Sequence, residues 1–462
     1  MGNGGQTTPY ISRIVVFPKE FSPQKTSSHT PIMKRFFLLP ILFVSAMMLL
    51  ADFNEALTYF NATTDKPAVS YKAGDKVVFT FNFGEMNKDI PEGTVISWVR
   101  EGDDQVFANG DLVWRHDEPV TLETSIGCPG FVHIFAKLKD AATGNDIKFE
   151  NGNAVTLDCG AGAEPEKLIA APEPRDFDEY WQKQKEKLAK CPMELLEKKE
   201  VLRNNGVVVY AVKISCAPPR PVTGFLGIPE NAAEKSLPVY CYYDGYSSHK
   251  DIFQQIPKWF ANDKISFAVN AHGADLLQDD EYYEQFNKEI KSGDYGYAFD
   301  PKQNLSPDTA YFHGMVMRLL RAAEFAKTLP EWDGKTLVAC GSSQGGLQSV
   351  WAAALDHDFT SAYPTVPWQC DVGGEDAFNR ISGPWRIPYV PGLKYFDCVY
   401  MARRITCPVE IPRAGLGDYI CPPSGIALLY NNLKCPKKIN WYQGSNHGFV
   451  PRIPETFTFE EQ

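Results

Sequence analysis

The 462-residue sequence lacks the patterns that identify several common classes of protein. It has no P-loop, no dinucleotide-binding fingerprint and no internal repeat, so nothing in it predicts a nucleotide-dependent enzyme or a solenoid. None of its 11 cysteines forms a C-x-x-C pair and its eight histidines are scattered, so a zinc-site pattern is missing as well. Long basic runs are absent beyond the N-terminus and the net charge is −11, which argues against nucleic acid or anionic membranes as partners.

The most informative segment that is present is residues 341–346, Gly-Ser-Ser-Gln-Gly-Gly. An apolar run typical of a strand precedes it, and a run typical of a helix follows it. Strand, G-x-S-x-G and helix together are the surroundings of a nucleophile elbow. Side chains at Gly341 and Gly345 would collide in so tight a turn, and the serine is held in a strained conformation. Ser343 is therefore the candidate nucleophile.

A serine nucleophile needs a base, and that base needs an orienting acid. In hydrolases of the α/β type the chain order is Ser, then Asp or Glu, then His. Of the two histidines after Ser343, His447 follows a strand-like run and lies in a predicted loop, which favours it as the base. The alternative, His357, comes at the end of the predicted helix, where a surface position is expected.

The acid is expected between the nucleophile and the base, at the end of a strand. Asp418 fits, because it lies in a glycine-containing loop, 415–419, after the β-like run 409–411. Three other aspartates compete on chain order alone. They are Asp371, Asp376 and Asp397. Loop position favours Asp418.

These segments together resemble the acetyl xylan esterase / cephalosporin C deacetylase family of carbohydrate esterases. The resemblance covers roughly residue 165 to the end. It also includes 174–181, similar to the first helix of the family, and Asp244-Gly245-Tyr246, similar to its oxyanion segment. It implies a serine esterase that removes acetyl groups from an acetylated oligo- or polysaccharide, or from another small acetyl ester. It implies neither a metal nor an organic cofactor.

Carried over to this sequence, the resemblance makes Ser343 the nucleophile, Asp418 the acid and His447 the base. It assigns the oxyanion hole to the backbone N–H groups of Tyr246 and Gln344. The assignment of Gln344 agrees with the general rule that the residue after the nucleophile supplies one donor.

Three positions depart from the pattern of the family. His272-Gly273-Ala274 stands where the family has Arg-Gly-Gln, Gly448 replaces a Glu, and Asp244 replaces a His. We expect these changes to affect substrate choice and assembly more than the reaction. His272 is a candidate pocket residue, with a structural role as the alternative. The family forms hexamers, so a homo-oligomer stays open, and so does a catalytically weak or inactive carbohydrate-binding homologue.

Residues 52–160 predict a small all-β domain of immunoglobulin-like type, because short alternating runs are separated by turn residues. Trp98 and Trp114 are its candidate carbohydrate-binding aromatics, with a core position as the alternative. A linker is expected from Gly160. Residues 161–462 alternate strand-like and helical runs, which predicts a mostly parallel sheet covered by helices, the α/β-hydrolase fold. Asp176 is expected to cap the first helix, with Glu179 completing a capping box.

The N-terminal residues predict export. Residues 33–51 combine Met33-Lys34-Arg35, an apolar run and a small-residue end, as a secretory signal peptide does. Residues 1–32 are polar and lack periodicity, so we interpret them as disordered or as a non-native upstream segment. Cleavage near Ala51 would give a periplasmic or secreted protein with no stable membrane insertion.

Overall fold

The computed structural model describes residues 60–84, 90–149, 151–247, 261–451 and 454–461. These residues belong to one compact unit, Leu49–Gln462. The predicted signal peptide, 33–51, and the segment 1–32 lie outside the described residues. Within the described ranges, no helix is long and apolar enough to cross a bilayer.

Residues 60–163 form two antiparallel sheets. Their strands are β1 Asn61–Thr64, β2 Lys76–Asn82, β3 Val95–Gly102, β4 Ala108–Val113, β5 Val120–Ser125, β6 Gly130–Lys139 and β7 Thr156–Ala163. One sheet has the order β1-β2-β5 and the other β4-β3-β6-β7. Side chains of both sheets share one hydrophobic core, so the region is a β-sandwich.

Alternation in the sequence explains which side chains enter this core. Val77, Phe79 and Phe81 on β2 are buried, while the residues between them are half-exposed. Trp114 lies in the same core, edge-on to Phe83. Trp114 is therefore a core residue, as the second alternative predicts, because the residue is only 4% exposed.

The strand order differs by one strand from that of a constant-type immunoglobulin domain. There, the fourth strand pairs with the fifth. Here β4 pairs with β3 instead, which makes the sandwich three strands against four. The immunoglobulin-like assignment stays a prediction.

The α/β region contains a mixed sheet of ten strands over the described residues, in the order β17-β16-β15-β14-β13-β11-β12-β10-β9-β8. The strands are β8 Leu195–Asn204, β9 Val207–Ile214, β10 Val222–Pro229, β11 Leu237–Tyr243, β12 Ile265–Val269, β13 Trp332–Ser342, β14 Ser361–Thr365, β15 Val409–Gly415, β16 Lys437–Tyr442 and β17 Thr456–Glu461. The helices are α1 Phe177–Ala189, α2 Asp280–Glu289, α3 Tyr311–Ala326, α4 Gln344–Leu355, α5 Gly374–Phe378, α6 Cys398–Ala402 and α7 Pro423–Asn432. Short 3₁₀ turns span Pro165–Lys167, Gln303–Leu305 and Pro391–Phe396.

Six neighbouring strands of this sheet run parallel, β12, β11, β13, β14, β15 and β16. Strands β10 and β12 are buried along their whole length, which explains their nearly continuous apolar sequence. The α/β-hydrolase fold class is confirmed. Because parallel strands end at the same edge, the loops after β13, β15 and β16 meet there.

Two local expectations about the junction between the regions differ from the structure. The boundary at residue 160 falls inside β7, which continues to Ala163. The capping box on α1 is wrong, because Asp176 makes no side-chain cap bond and instead accepts a hydrogen bond from the Tyr395 hydroxyl. Glu179 pairs with Lys183 on the helix surface.

Candidate active site

Ser343 lies in a strained turn between β13 and α4. Its φ is 59° and its ψ is −118°, a conformation that non-glycine residues rarely adopt. A Cβ atom at Gly341 would overlap the backbone of Gly345, and one at Gly345 would overlap the carbonyl oxygen of Tyr243. The turn therefore requires glycine on both sides of the serine, as the sequence predicts.

The structure brings Ser343, His447 and Asp418 together. The Ser343 hydroxyl lies 3.0 Å from Nε2 of His447, and Nδ1 of His447 lies 2.9 Å from Oδ2 of Asp418. The other carboxylate oxygen of Asp418 accepts hydrogen bonds from the N–H groups of Ile420 and Cys421. The carboxylate is fully buried and hydrogen-bonded at both oxygens, so it holds the imidazole in one orientation.

The competing residues have other partners. Asp371 pairs with Arg380, and Asp376 pairs with Arg386. Asp397 accepts hydrogen bonds from three backbone N–H groups and caps α6. His357 is exposed in a turn after α4.

The two predicted oxyanion residues follow neighbouring parallel strands, Tyr246 after β11 and Gln344 after β13. Gln344 is the first residue of α4, so its backbone N–H has no acceptor within the helix. Its buried side chain accepts a hydrogen bond from the Tyr297 hydroxyl at 2.8 Å. The ring of Tyr246 stacks on that of Tyr297 with centroids 4.0 Å apart. Tyr297 therefore links both residues.

The sequence profile of the family described as Acetyl xylan esterase (AXE1) matches residues 168–381 and 389–460 of this chain. That is more than half of its length. The chain belongs to the acetyl xylan esterase family. The predicted resemblance is confirmed. Its predicted range, from roughly residue 165 to the end, agrees with the matched residues.

Relatives of this esterase include one curated protein and two solved structures. The acetyl esterase Axe7A of Xylanibacter ruminicola is 26% identical over 372 residues, which is 71% of this chain and 83% of that protein. An acetyl xylan esterase from Paenibacillus sp. R4 matches 62% of this chain and 94% of its own, with 24% identity and a TM-score of 0.53. Acetyl xylan esterase 1 from Thermoanaerobacterium sp. JW/SL YS485 matches 62% and 92%, with 21% identity and a TM-score of 0.51. The two structures support the α/β-hydrolase fold of this esterase.

His272 lies next to Tyr297, which contacts both predicted oxyanion residues. Its Nδ1 is 2.8 Å from the Tyr311 hydroxyl, its Nε2 is 2.8 Å from the carbonyl oxygen of Ser247, and its ring meets Tyr297 edge-on. Burial lowers the pKa of His272 to about 3, so the ring is neutral at any working pH. The structure thus gives His272 a supporting position behind Tyr297. Its role as a pocket residue stays a prediction.

Two buried groups near the serine were not singled out as site residues in the sequence. Burial raises the pKa of the Cys421 thiol well above its usual range, and Ser343 is among the groups that contact it. Burial also raises the pKa of Asp244 to about 7, and one oxygen of that carboxyl has no hydrogen-bond partner in the described structure. Cys421, Asp418 and His447 place ligand atoms within 4.8 Å of one another, a spacing that a metal ion also fits.

Sequence reasoning also missed a set of side chains that join the β-sandwich to the catalytic loops. They are His133, Asp158, Gln443 and Asn446. The available signal is the run of small residues from Gly160 to Ala163, for which the sequence predicts a linker. In the structure Gly160 packs against the backbone of Leu416, and Gly162 packs against the Phe131 ring.

Proposed function

We propose that this chain is a serine esterase that removes acetyl groups from carbohydrates through a Ser-His-Asp triad and an acyl-enzyme. The observation that carries the proposal is the continuous hydrogen-bonded path from Ser343 through His447 to Asp418 in a member of the acetyl xylan esterase family. A nucleophile, its base and an orienting acid are the groups that acyl transfer requires.

The first half of the reaction forms the acyl-enzyme. The Ser343 oxygen attacks the acetyl carbonyl carbon, and its proton moves to Nε2 of His447. When the tetrahedral intermediate collapses, the bond between the carbonyl carbon and the sugar oxygen breaks. His447 gives its proton to that sugar oxygen, which leaves as a free hydroxyl. Asp418 stays ionised and stabilises the imidazolium.

The second half releases acetate. Water attacks the acetyl carbon of the acyl-enzyme, and His447 accepts one of its protons. The bond between carbon and the serine oxygen then breaks, and His447 returns the proton to Ser343. The N-terminus of α4, which begins directly after Ser343, favours negative charge beside the serine. We assign the oxyanion to the N–H groups of Gln344 and Tyr246, and one such donor is worth about 10²–10³ in rate in a well-studied protease.

Two features support an acetylated carbohydrate as the substrate. The relatives are named acetyl xylan esterases and an acetyl esterase. A cleft lies beside Ser343, and Cys421, which contacts Ser343, and the exposed Trp385 are among the residues that line it. Aromatic rings offer apolar faces on which sugar rings can pack.

The rival hypothesis is a carbohydrate-binding protein that has lost catalysis. The altered loop at His272 and the sandwich favour it. The loop is weak support, because His272 has hydrogen-bond partners at both ring nitrogens and contacts Tyr297 beside the predicted oxyanion residues. A protein that only binds carbohydrate would also have no need for a serine, a histidine and an aspartate joined by hydrogen bonds.

Hydrolysis of p-nitrophenyl acetate, butyrate and octanoate by the wild type and by Ser343→Ala tests the proposal. We expect acetate to be cleaved best and the variant to lose turnover by a factor on the order of 10⁶, as triad knock-outs do in a comparable hydrolase. Acetate release from acetylated xylo-oligosaccharides then tests the substrate. Turnover that survives in Ser343→Ala, or that is absent from both proteins, would overturn the proposal. Activity should also be unchanged by EDTA, because no step uses a metal.

Export is a proposal too. We propose that the chain is exported after cleavage near Ala51. N-terminal sequencing of the mature protein tests this. A start before Met33 would contradict it.

A further inference from the structure

Strand β7 of the sandwich lies directly against the two loops that carry Asp418 and His447. The Gln443 side chain makes two hydrogen bonds to Gly160, accepting from its N–H at 3.0 Å and donating to its carbonyl oxygen at 2.8 Å. A Cβ at Gly160 would overlap the carbonyl oxygen of Leu416, and one at Gly417 would come within 2.5 Å of Asp158. The sandwich therefore contacts the acid loop and the base loop at van der Waals distance.

Asp158 on β7 extends this contact to the base. One of its carboxylate oxygens accepts a hydrogen bond from the Asn446 side-chain amide at 3.1 Å. The amide oxygen of Asn446 in turn accepts from the N–H of Gly448 at 3.1 Å. His447 lies between these two residues in the chain. The Asn446 side chain thus ties the turn that carries the base to the sandwich.

His133 on β6 extends the contact to the acid. Its Nε2 lies 2.9 Å from the other oxygen of Asp158, and its ring stacks on Tyr419 with centroids 4.1 Å apart. Tyr419 directly follows Asp418. The side chains of His133 and Asp158 are only 11% and 18% exposed, so water competes little for their hydrogen bond.

We propose that Asp158, supported by His133, is a positioning residue of the esterase: it holds the loops of Asp418 and His447 in register from outside the α/β region. The inference rests on the proposed function, since it concerns the same triad. Catalytic groups must be held within a fraction of an ångström, and loops depend on neighbouring structure for that precision. Here one half-buried carboxylate connects to the neighbours of both the acid and the base.

A sandwich that only stabilises the fold would make a different prediction. Loss of Asp158 would then lower the melting temperature and leave turnover unchanged below it. A positioning role lowers kcat for a small ester whose binding does not involve the sandwich, with little change in KM. The change in kcat measured below the melting temperature, at a KM that stays the same, therefore separates the two roles.

The experiment measures kcat, KM and the melting temperature of Asp158→Ala with p-nitrophenyl acetate. We expect kcat to fall at least tenfold and KM to stay within twofold. Asp158→Asn should recover most of the loss, because its amide oxygen can still accept the bond from Asn446. Asp146→Ala is the matched control, since Asp146 pairs with Lys137 on the same sheet. It should keep the wild-type kcat.

A double-mutant cycle makes the test specific to this path. Asn446→Ala should lower kcat as Asp158→Ala does, and the double variant should fall no further than the more affected single variant. Independent, additive losses would overturn the proposal. So would a wild-type kcat in Asp158→Ala below its melting temperature. If Ser343→Ala is inactive while Asp158→Ala is not impaired, only the positioning role fails; if Ser343→Ala retains turnover, the proposed function itself fails.

Discussion

Residues 160–163 and 341–346 are both rich in glycine, yet they serve different purposes. In the second segment, Gly341 and Gly345 allow the chain to reverse direction around Ser343. In the first, Gly160 and Gly162 sit in an extended strand whose backbone packs on Leu416 and whose face packs on Phe131. The glycines of both segments stand where another group comes too close for a Cβ. Glycine therefore indicates close approach, and only its partners tell whether the result is a turn or a packed strand.

The largest effect that separates the segments is expected at the elbow. Gly345→Ala places a methyl group on the carbonyl oxygen of Tyr243 and displaces the nucleophile. A shift of about 1 Å in a catalytic group costs roughly 10²-fold in rate, so we expect at least that loss in kcat for p-nitrophenyl acetate. Gly127→Ala is the control, because nothing lies within 4 Å of a Cβ there. Equal activities of the two variants would break the comparison.

A smaller effect is expected in β7. Gly160→Ala pushes on the backbone before Asp418, and we expect a destabilisation of about 1–3 kcal/mol, as overpacking costs, together with a fall in kcat. Gly162→Ala is the matched variant, because its methyl group would meet the Phe131 ring rather than a catalytic loop. It should lose stability in chemical denaturation and keep its kcat. A kcat loss in Gly162→Ala alone would contradict the assignment.

The last effect concerns stability rather than turnover, and it depends on pH through Asp244, which lies next to the elbow. Asp244 has a pKa near 7 in the folded protein because of burial, against about 4 when unfolded. The folded state therefore holds a proton that the unfolded state releases, and the free energy of unfolding falls as pH rises from about 4 to 7. Asp244→Asn removes this dependence, so its melting temperature relative to wild type should rise between pH 5 and pH 8. A difference independent of pH would show that Asp244 is ionised in the folded protein.

The elbow was predictable because its strand, turn and helix are consecutive in the chain. The triad partners were predictable for a related reason: each follows a strand, and parallel strands end at one edge. The family resemblance, now confirmed, covered the same residues. Local pattern and chain order therefore account for Ser343, Asp418 and His447 being found together.

The contacts of β7 were not predictable, because they join residues far apart in the chain. Gly160 and Gln443 are 283 positions apart, and no periodicity connects them. The failed capping box has the same cause, since Tyr395 takes the Asp176 carboxylate from 219 residues away. Alternation did predict the core face of β2, because a half-buried strand repeats every two residues. The strand order of the two sandwich sheets depends on which strands pair with each other, and alternation within one strand does not specify its partner.

Reaction with a fluorophosphonate, followed by peptide mapping, tests the central claim most directly. We predict one label per chain on the peptide that contains Ser343, and at least a hundredfold slower labelling in His447→Ala, because the serine is a weak nucleophile without its base. Absence of label from the wild type, label on another residue, or equal labelling of His447→Ala would contradict the account.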